Sequence, residues 1–276
     1  CRCAMSEPTN RIEGAFARLA ADGRKGLLPY VTAGLPDLDC TEQILEALAD
    51  AGATAVELGF PYSDSIADGP VIQSSFTRAL DAGVRVRDIF RMVERFRRRR
   101  QLPLLGMLSY SIVYRIGPES FMKMAREAGI DGLILPDLSL EEAPQIAARL
   151  REFGLCLPML VSPVSPPQRR REIAALSSGF VYYMSVAGIT GERKELPPEL
   201  VQNVRELQEQ SGRPVVVGFG INTAEQVRLV CSQADGVIIG SALVRRIMET
   251  QDAGGDTDAI VKAAAAAVRE WMTGLP

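Results

Sequence analysis

The sequence predicts an α/β protein built as a single (β/α)8, or TIM, barrel with an extra helix ahead of the first strand. Three observations predict it. Short apolar, β-rich runs alternate with helical patterns along the whole chain. These runs are predominantly apolar, as parallel strands buried on both faces require. Eight such units fit within the 276 residues, a length that suits this barrel. A doubly wound open sheet is the competing arrangement. It needs a Gly-rich nucleotide turn after its first strand, and here that turn reads Thr32-Ala33-Gly34-Leu35-Pro36. No domain boundary is visible. The expected organisation is a disordered extension over residues 1–10 and one barrel domain over 11–273.

The extra helix is expected near Arg11–Ala21. Strands follow at Leu27–Thr32, Thr54–Gly59, Leu104–Leu108 and Gly132–Leu135, then at Cys156–Val161, Phe180–Met184, Val215–Gly218 and Gly236–Ile239. Each is a short apolar run of strand length. Helical spacing of apolar residues places helices at Thr41–Ala51, Val86–Arg99, Pro118–Ala128 and Leu140–Phe153, then at Pro167–Leu176, Pro198–Glu209 and Thr223–Val230. A last helix covers 256–272 and contains the alanine run Ala263–Ala267, after a turn at Ala253-Gly254-Gly255.

Composition narrows the chemistry. A net charge of −3 points to neither nucleic acid nor a membrane surface. The densest basic run, Arg95 and Arg97–Arg100, suits a helix C-terminus and has no aromatic platform beside it. Arg169, Arg170 and Arg171 open a helix and read as surface. No long apolar span or signal-peptide core is present, so neither membrane insertion nor secretion is expected. Cys40, Cys156 and Cys231 are scattered without metal spacing, a reduced, cytoplasmic pattern. Cys1 and Cys3 fall in the extension, and Met5 is the expected start. Histidine is absent, which removes Ser-His-Asp and Cys-His catalysis and every His-ligated metal. None of the lysines (Lys25, Lys123, Lys194, Lys262) ends a strand pointing into the barrel, so a Schiff base is not expected. Carboxylates remain for proton transfer.

The stretch VELGFPYSDSIADGP, Val56 to Pro70, carries two of them, Glu57 and Asp68. Strand side chains alternate faces. With Val56 and Leu58 packed on helices, Glu57 points into the barrel, where an ionised carboxylate is costly unless paired or functional. Asp68 follows one loop later, close enough to share a site. Two carboxylates so placed suit acid–base catalysis.

The last two strands end in Gly218-Phe219-Gly220-Ile221 and Gly240-Ser241, each followed by a helix. Glycine turns and free helix N–H groups bind anions, and such barrels frequently hold phosphate there. The segment Ser185–Gly191 is glycine-rich and is followed by charged residues, as a mobile lid would be. Within it Thr190 could hydrogen-bond a carboxylate and Gly191 could offer its N–H to phosphate. Tyr30, Leu108, Tyr110, Tyr182 and Phe219 gather at strand ends. Such a ring suits a flat aromatic substrate, although apolar strand residues are core by default.

In order and spacing, LPYVTAG, VELGFPYSDSIADGPVIQ, GITG, GFGI and GSALV make the chain resemble the tryptophan synthase alpha subunit family from about Arg11 to Trp271. The resemblance implies retro-aldol cleavage of indole-3-glycerol phosphate to indole and glyceraldehyde 3-phosphate, without cofactor or metal. It implies that Glu57 shuttles protons at C3 and the hydroxyl, that Asp68 takes the indole N–H, and that Thr190 orients Asp68. Gly191, Gly220, Gly240 and Ser241 would hold phosphate. Tyr30, Leu108, Tyr182 and Phe219 would border the indole, with Tyr110 nearby. The implied partner is a pyridoxal-phosphate beta subunit.

The chain departs from the family pattern at Ser65, where proline is usual, at Ser111, Ile112 and Val113 after Tyr110, at Ser139, and at Leu35 before Pro36. Three of these lie on loops that meet the beta subunit in the family. These departures keep open a stand-alone lyase releasing indole; a non-catalytic regulatory partner, against which the retained Glu57 and Asp68 argue, and another phosphate-binding barrel, such as a sugar-phosphate isomerase, are the further alternatives.

Overall fold

The computed structural model describes residues 10–65, 68–184, 196–218 and 220–276. The first half runs α1 (Arg11–Ala21), β1 (Gly26–Thr32), α2 (Leu38–Asp50), β2 (Val56–Gly59), α3 (Pro70–Asp81), α4 (Val86–Arg97), β3 (Leu104–Met107), α5 (Tyr110–Ile116), α6 (Pro118–Ala128) and β4 (Gly132–Ile134). The second half runs α7 (Ala143–Glu152), β5 (Met159–Val161), α8 (Pro167–Leu176), β6 (Val181–Met184), α9 (Pro198–Ser211), β7 (Val215–Gly218), α10 (Ala224–Cys231), β8 (Gly236–Ile239), α11 (Ser241–Asp252) and α12 (Thr257–Met272).

All strand pairs are parallel, in the order β4-β3-β2-β1-β8-β7-β6-β5. A bridge from Gly132 to Cys156 closes the seam between β4 and the approach to β5. There Leu133 N donates to Cys156 O at 2.8 Å and Cys156 N to Asp131 O at 2.9 Å. The expected strand from Cys156 starts as β5 only at Met159, because Pro158 has no N–H to give a ladder.

Alternation sorts the side chains as the sequence predicts. Leu28, Ala55, Leu105, Ile134, Val216 and Ile238 form the inner core, while Val56 and Leu58 pack into the layer under the helices. Ile12 and Phe16 of α1 plug the N-terminal mouth, with Phe16 and Phe180 rings 5.5 Å apart. Asn10 falls in the expected extension, yet it is buried and caps α1 by accepting from Ile12 N at 2.8 Å. Its amide donates to Asp131 O and Gly154 O. Residues 1–9 lie outside the described residues.

Three helices lie outside the expected ranges: α11, anticipated only as a helix after Gly240-Ser241, and α3 and α5, which were not anticipated. α3 starts at Pro70 after Gly69, with no side-chain cap. A Gly-Pro pair reads as a turn, although proline is well suited to the first helical position. α5 spans two turns capped by Ser109, too short for periodicity to declare it. α3 is fixed to the barrel by a 2.7 Å hydrogen bond between the Ser75 and Thr32 hydroxyls.

Candidate active site

A cavity of about 800 Å³ opens at the C-terminal ends of the strands, a volume that suits a small-molecule ligand. Tyr30, Glu57, Asp68, Tyr182, Gly220, Gly240 and Ser241 all border it. The structure thus brings seven of the predicted site residues together.

Glu57 sits in β2 beside Tyr30 of β1 and Leu105 of β3. It is 1 % exposed, and its Oε1 has no hydrogen-bond partner among the described residues. Burial pushes its carboxyl up to about 8. The protonated form is favoured because the site withholds the water and donors an anion needs. Asp68 is half-buried on the loop between β2 and α3. Burial raises its carboxyl too, and the hydroxyl of Tyr62, 3.1 Å from Oδ2, opposes that rise.

Tyr30 and Tyr182 are buried, and burial raises both hydroxyls well above the usual phenol range. Each occupies space that only a glycine leaves. A Cβ on Gly59 would collide with the Tyr30 hydroxyl and ring, and one on Gly218 would sit 2.5 Å from the Tyr182 ring. The tyrosines therefore lie against bare main chain.

The opposite rim has features that suit an anion. Gly220 has φ +71, a left-handed conformation favourable to glycine. Its loop is pinned from behind, where buried Trp271 Nε1 donates to Asn222 O at 2.9 Å. Gly240 caps α11 without a side chain, and its carbonyl accepts from Leu243 N and Val244 N. The amides of Ser241 and Ala242 precede those bonds, in the turn whose N–H groups have no intrahelical acceptor. Arg245, one turn further on, also borders the cavity and has no ion pair among the described residues. Side chains four apart share a helix face and lean towards the N-terminus. Arg245 is therefore set to add positive charge beside Ser241.

The model for the tryptophan synthase alpha chain family matches residues 16–272. The chain belongs to the tryptophan synthase alpha chain family. The tryptophan synthase alpha chain of Rhodopirellula baltica is 45% identical over 241 residues, covering 86% of this chain and 87% of that one. The alpha chain of Geobacter sulfurreducens is 45% identical over 236 residues, covering 86% and 89%. Among solved structures, tryptophan synthase subunit alpha of Legionella pneumophila superposes with a TM-score of 0.87 at 36% identity, covering 96% and 98%. A chain of the Pyrococcus furiosus tryptophan synthase complex gives 0.80 at 35%, covering 90% and 98%.

Within this alpha-chain site, two predicted residues fall elsewhere. Leu108 is buried in the layer under the helices, because the inward positions of β3 are Leu105 and Met107. Tyr110 opens α5, donates its N–H to Asp137 Oδ1 at 2.6 Å, and packs on Tyr114 rather than on the cavity. Thr190, Gly191 and Phe219 lie outside the described residues. Sequence reasoning missed Met107, Leu160, Met184 and Ile221 on the apolar walls, and Arg169 and Arg245 at the rim. Strand alternation from Leu105 could have found Met107. The i, i+4 spacing from Ser241 could have found Arg245.

Proposed function

We propose that this alpha chain cleaves indole-3-glycerol phosphate to indole and glyceraldehyde 3-phosphate, with Glu57 and Asp68 as its catalytic carboxylates. The observation that supports the reading best is the buried Glu57, whose Oε1 has no partner among the described residues, facing a cavity that holds a second carboxylate and ends in a bare helix N-terminus.

Indole is a poor carbanion leaving group, so C3 must gain a proton before its bond to the side chain breaks. With its carboxyl near 8, Glu57 is largely protonated at neutral pH and donates to C3. The ring nitrogen then carries positive charge, and the Asp68 carboxylate accepts its N–H. Glu57, now ionised, takes the proton from the hydroxyl on the carbon attached to C3. That carbon becomes an aldehyde, the electron pair of the broken bond returns to the ring, and Glu57 ends protonated as it began. Acid–base steps of this kind contribute about 10²–10⁴-fold each, and none needs a metal or cofactor. Tyr30 and Tyr182 flank the indole, while Gly220, Gly240, Ser241 and Arg245 hold the phosphate. The family resemblance adds Thr190 against Asp68, Gly191 at the phosphate and Phe219 at the ring.

The same reading gives the chain a beta subunit as partner and places it in the cytoplasm, in tryptophan biosynthesis. Support for a partner comes from the catalytic end, where Tyr114 on α5 is 71% exposed and Val164 after β5 is 82% exposed. Ser65, Ile112 and Ser139 lie at this same end.

The test is indole release from indole-3-glycerol phosphate by wild type, Glu57→Gln and Asp68→Asn, with and without a beta subunit. Both variants should lose most of their turnover while keeping the fold. Wild-type rates in either would overturn its assignment. Strong stimulation by the beta subunit supports the complex, and full activity without it supports a stand-alone lyase.

A further inference from the structure

The geometry points to Tyr62 as a positioning residue that holds Asp68 for its work on the indole N–H, an inference that rests on the proposed lyase reading. Tyr62 Oη donates to Asp68 Oδ2 at 3.1 Å. This occupies one carboxylate oxygen and leaves the other for substrate. Tyr62 is itself fixed, because its ring packs 5.2 Å from that of Phe76 on α3. The Ser75–Thr32 bond ties α3 to β1. The Asp68 main chain is held separately. Its N–H donates to Ser65 O at 3.0 Å, and Gln73 Nε2 donates to the carbonyls of both Asp68 and Ser65. Gln73 thus places the backbone, and Tyr62 sets the carboxylate.

A hydroxyl donor favours the charged form of a carboxylate. Burial works against that form at Asp68, so the Tyr62 bond opposes the dominant local effect. Burial and Asp68 also keep the Tyr62 hydroxyl protonated well beyond neutral pH, so it acts as donor throughout the working range. Among the described residues, the other ionisable groups facing this cavity are Glu57 of β2, Tyr30 of β1, Tyr182 of β6, and Arg169 and Arg245 of α8 and α11. Asp137 after β4 faces Tyr62. All are unchanged in a Tyr62→Phe variant, which removes one oxygen and keeps the ring on Phe76.

The experiment compares the pH dependence of kcat/KM for wild type and Tyr62→Phe, beside the pH dependence of binding of a non-cleavable indole-3-alkyl phosphate. Loss of a hydrogen bond to a charged group should move the acid limb of both profiles upward by roughly one pH unit. Activity on the acid side of the limb should fall by up to about tenfold, the factor that one unit corresponds to. At neutral pH the thermal midpoint should drop by only the few degrees, roughly, that one lost hydrogen bond accounts for. Superimposable profiles, whether or not the rate falls, overturn the inference. Asp68→Asn separates the two levels. If it keeps wild-type turnover, the catalytic assignment of Asp68 fails. If it is inactive while the Tyr62→Phe profile stays in place, only the role of Tyr62 fails.

Discussion

Asp131 and Glu57 are buried to the same degree, 1 % exposed each, at opposite ends of one barrel. Asp131 precedes β4 at the N-terminal end, where it accepts from Arg11 Nη1 at 2.7 Å, Arg97 Nη2 at 2.8 Å and Leu104 N at 2.9 Å. Glu57 meets no donor at Oε1 among the described residues. Burial lowers the Arg97 guanidinium to about 10, with Asp131 holding it up against that. One carboxylate is surrounded by the groups an anion requires and ties α1, α4 and β3 together. The other is deprived of them and is open to protons that a ligand brings. The same burial therefore serves cohesion at one end and, in the proposed mechanism, reactivity at the other, and the difference lies in what surrounds each group.

Substitutions at the two sites should separate these roles. The largest effect is expected for Glu57→Gln, with kcat falling by about 10²–10⁴-fold in a chain that still folds. A loss of stability in step with the loss of rate would erase the contrast. Asp131→Ala should do the reverse. Leaving Arg97 buried without its partner should cost about 3–5 kcal/mol in chemical denaturation, with turnover per folded molecule unchanged.

The contrast sharpens with pH. The Glu57 carboxyl is raised in the folded state, to about 8 from 4.5, so the folded protein holds its proton more tightly than the unfolded chain. Its contribution is fully present below the unfolded value and is lost as pH rises towards 8. Glu57→Gln should therefore gain stability relative to wild type between pH 5 and 8, by an amount on the order of a few kcal/mol. A pH-independent difference in thermal midpoints would contradict the assignment. The smallest effect is expected at the rim. Arg245→Met should raise KM by roughly tenfold, about 1.4 kcal/mol, with little change in kcat, as steady-state kinetics would show.

Much of this was legible before any coordinates. Alternation within VELG placed Glu57 inward, and glycine punctuation picked out Gly220, Gly240 and Ser241, which border the cavity after β7 and β8. What escaped was set by tertiary packing. A one-residue ambiguity at the end of β3 exchanges inner for outer faces, so that Met107 borders the cavity while Leu108 is buried beside it. Tyr62 reads as one aromatic in a loop, because its partner Phe76 lies on a helix hidden behind a Gly-Pro pair. Arg245 reads as a surface cation until α11 is known to begin at the cavity.

The two tyrosines resting on glycines carry a consequence for substrate scope. A wall formed by main chain cannot yield by rotamer change, so on the Gly59 and Gly218 sides the slot has a set width. Met107 and Met184 border the same space and are flexible, deformable side chains. Bulkier ring systems should therefore be admitted by reshaping the methionine side, while any residue larger than glycine behind either phenol would push that ring into the slot and narrow it.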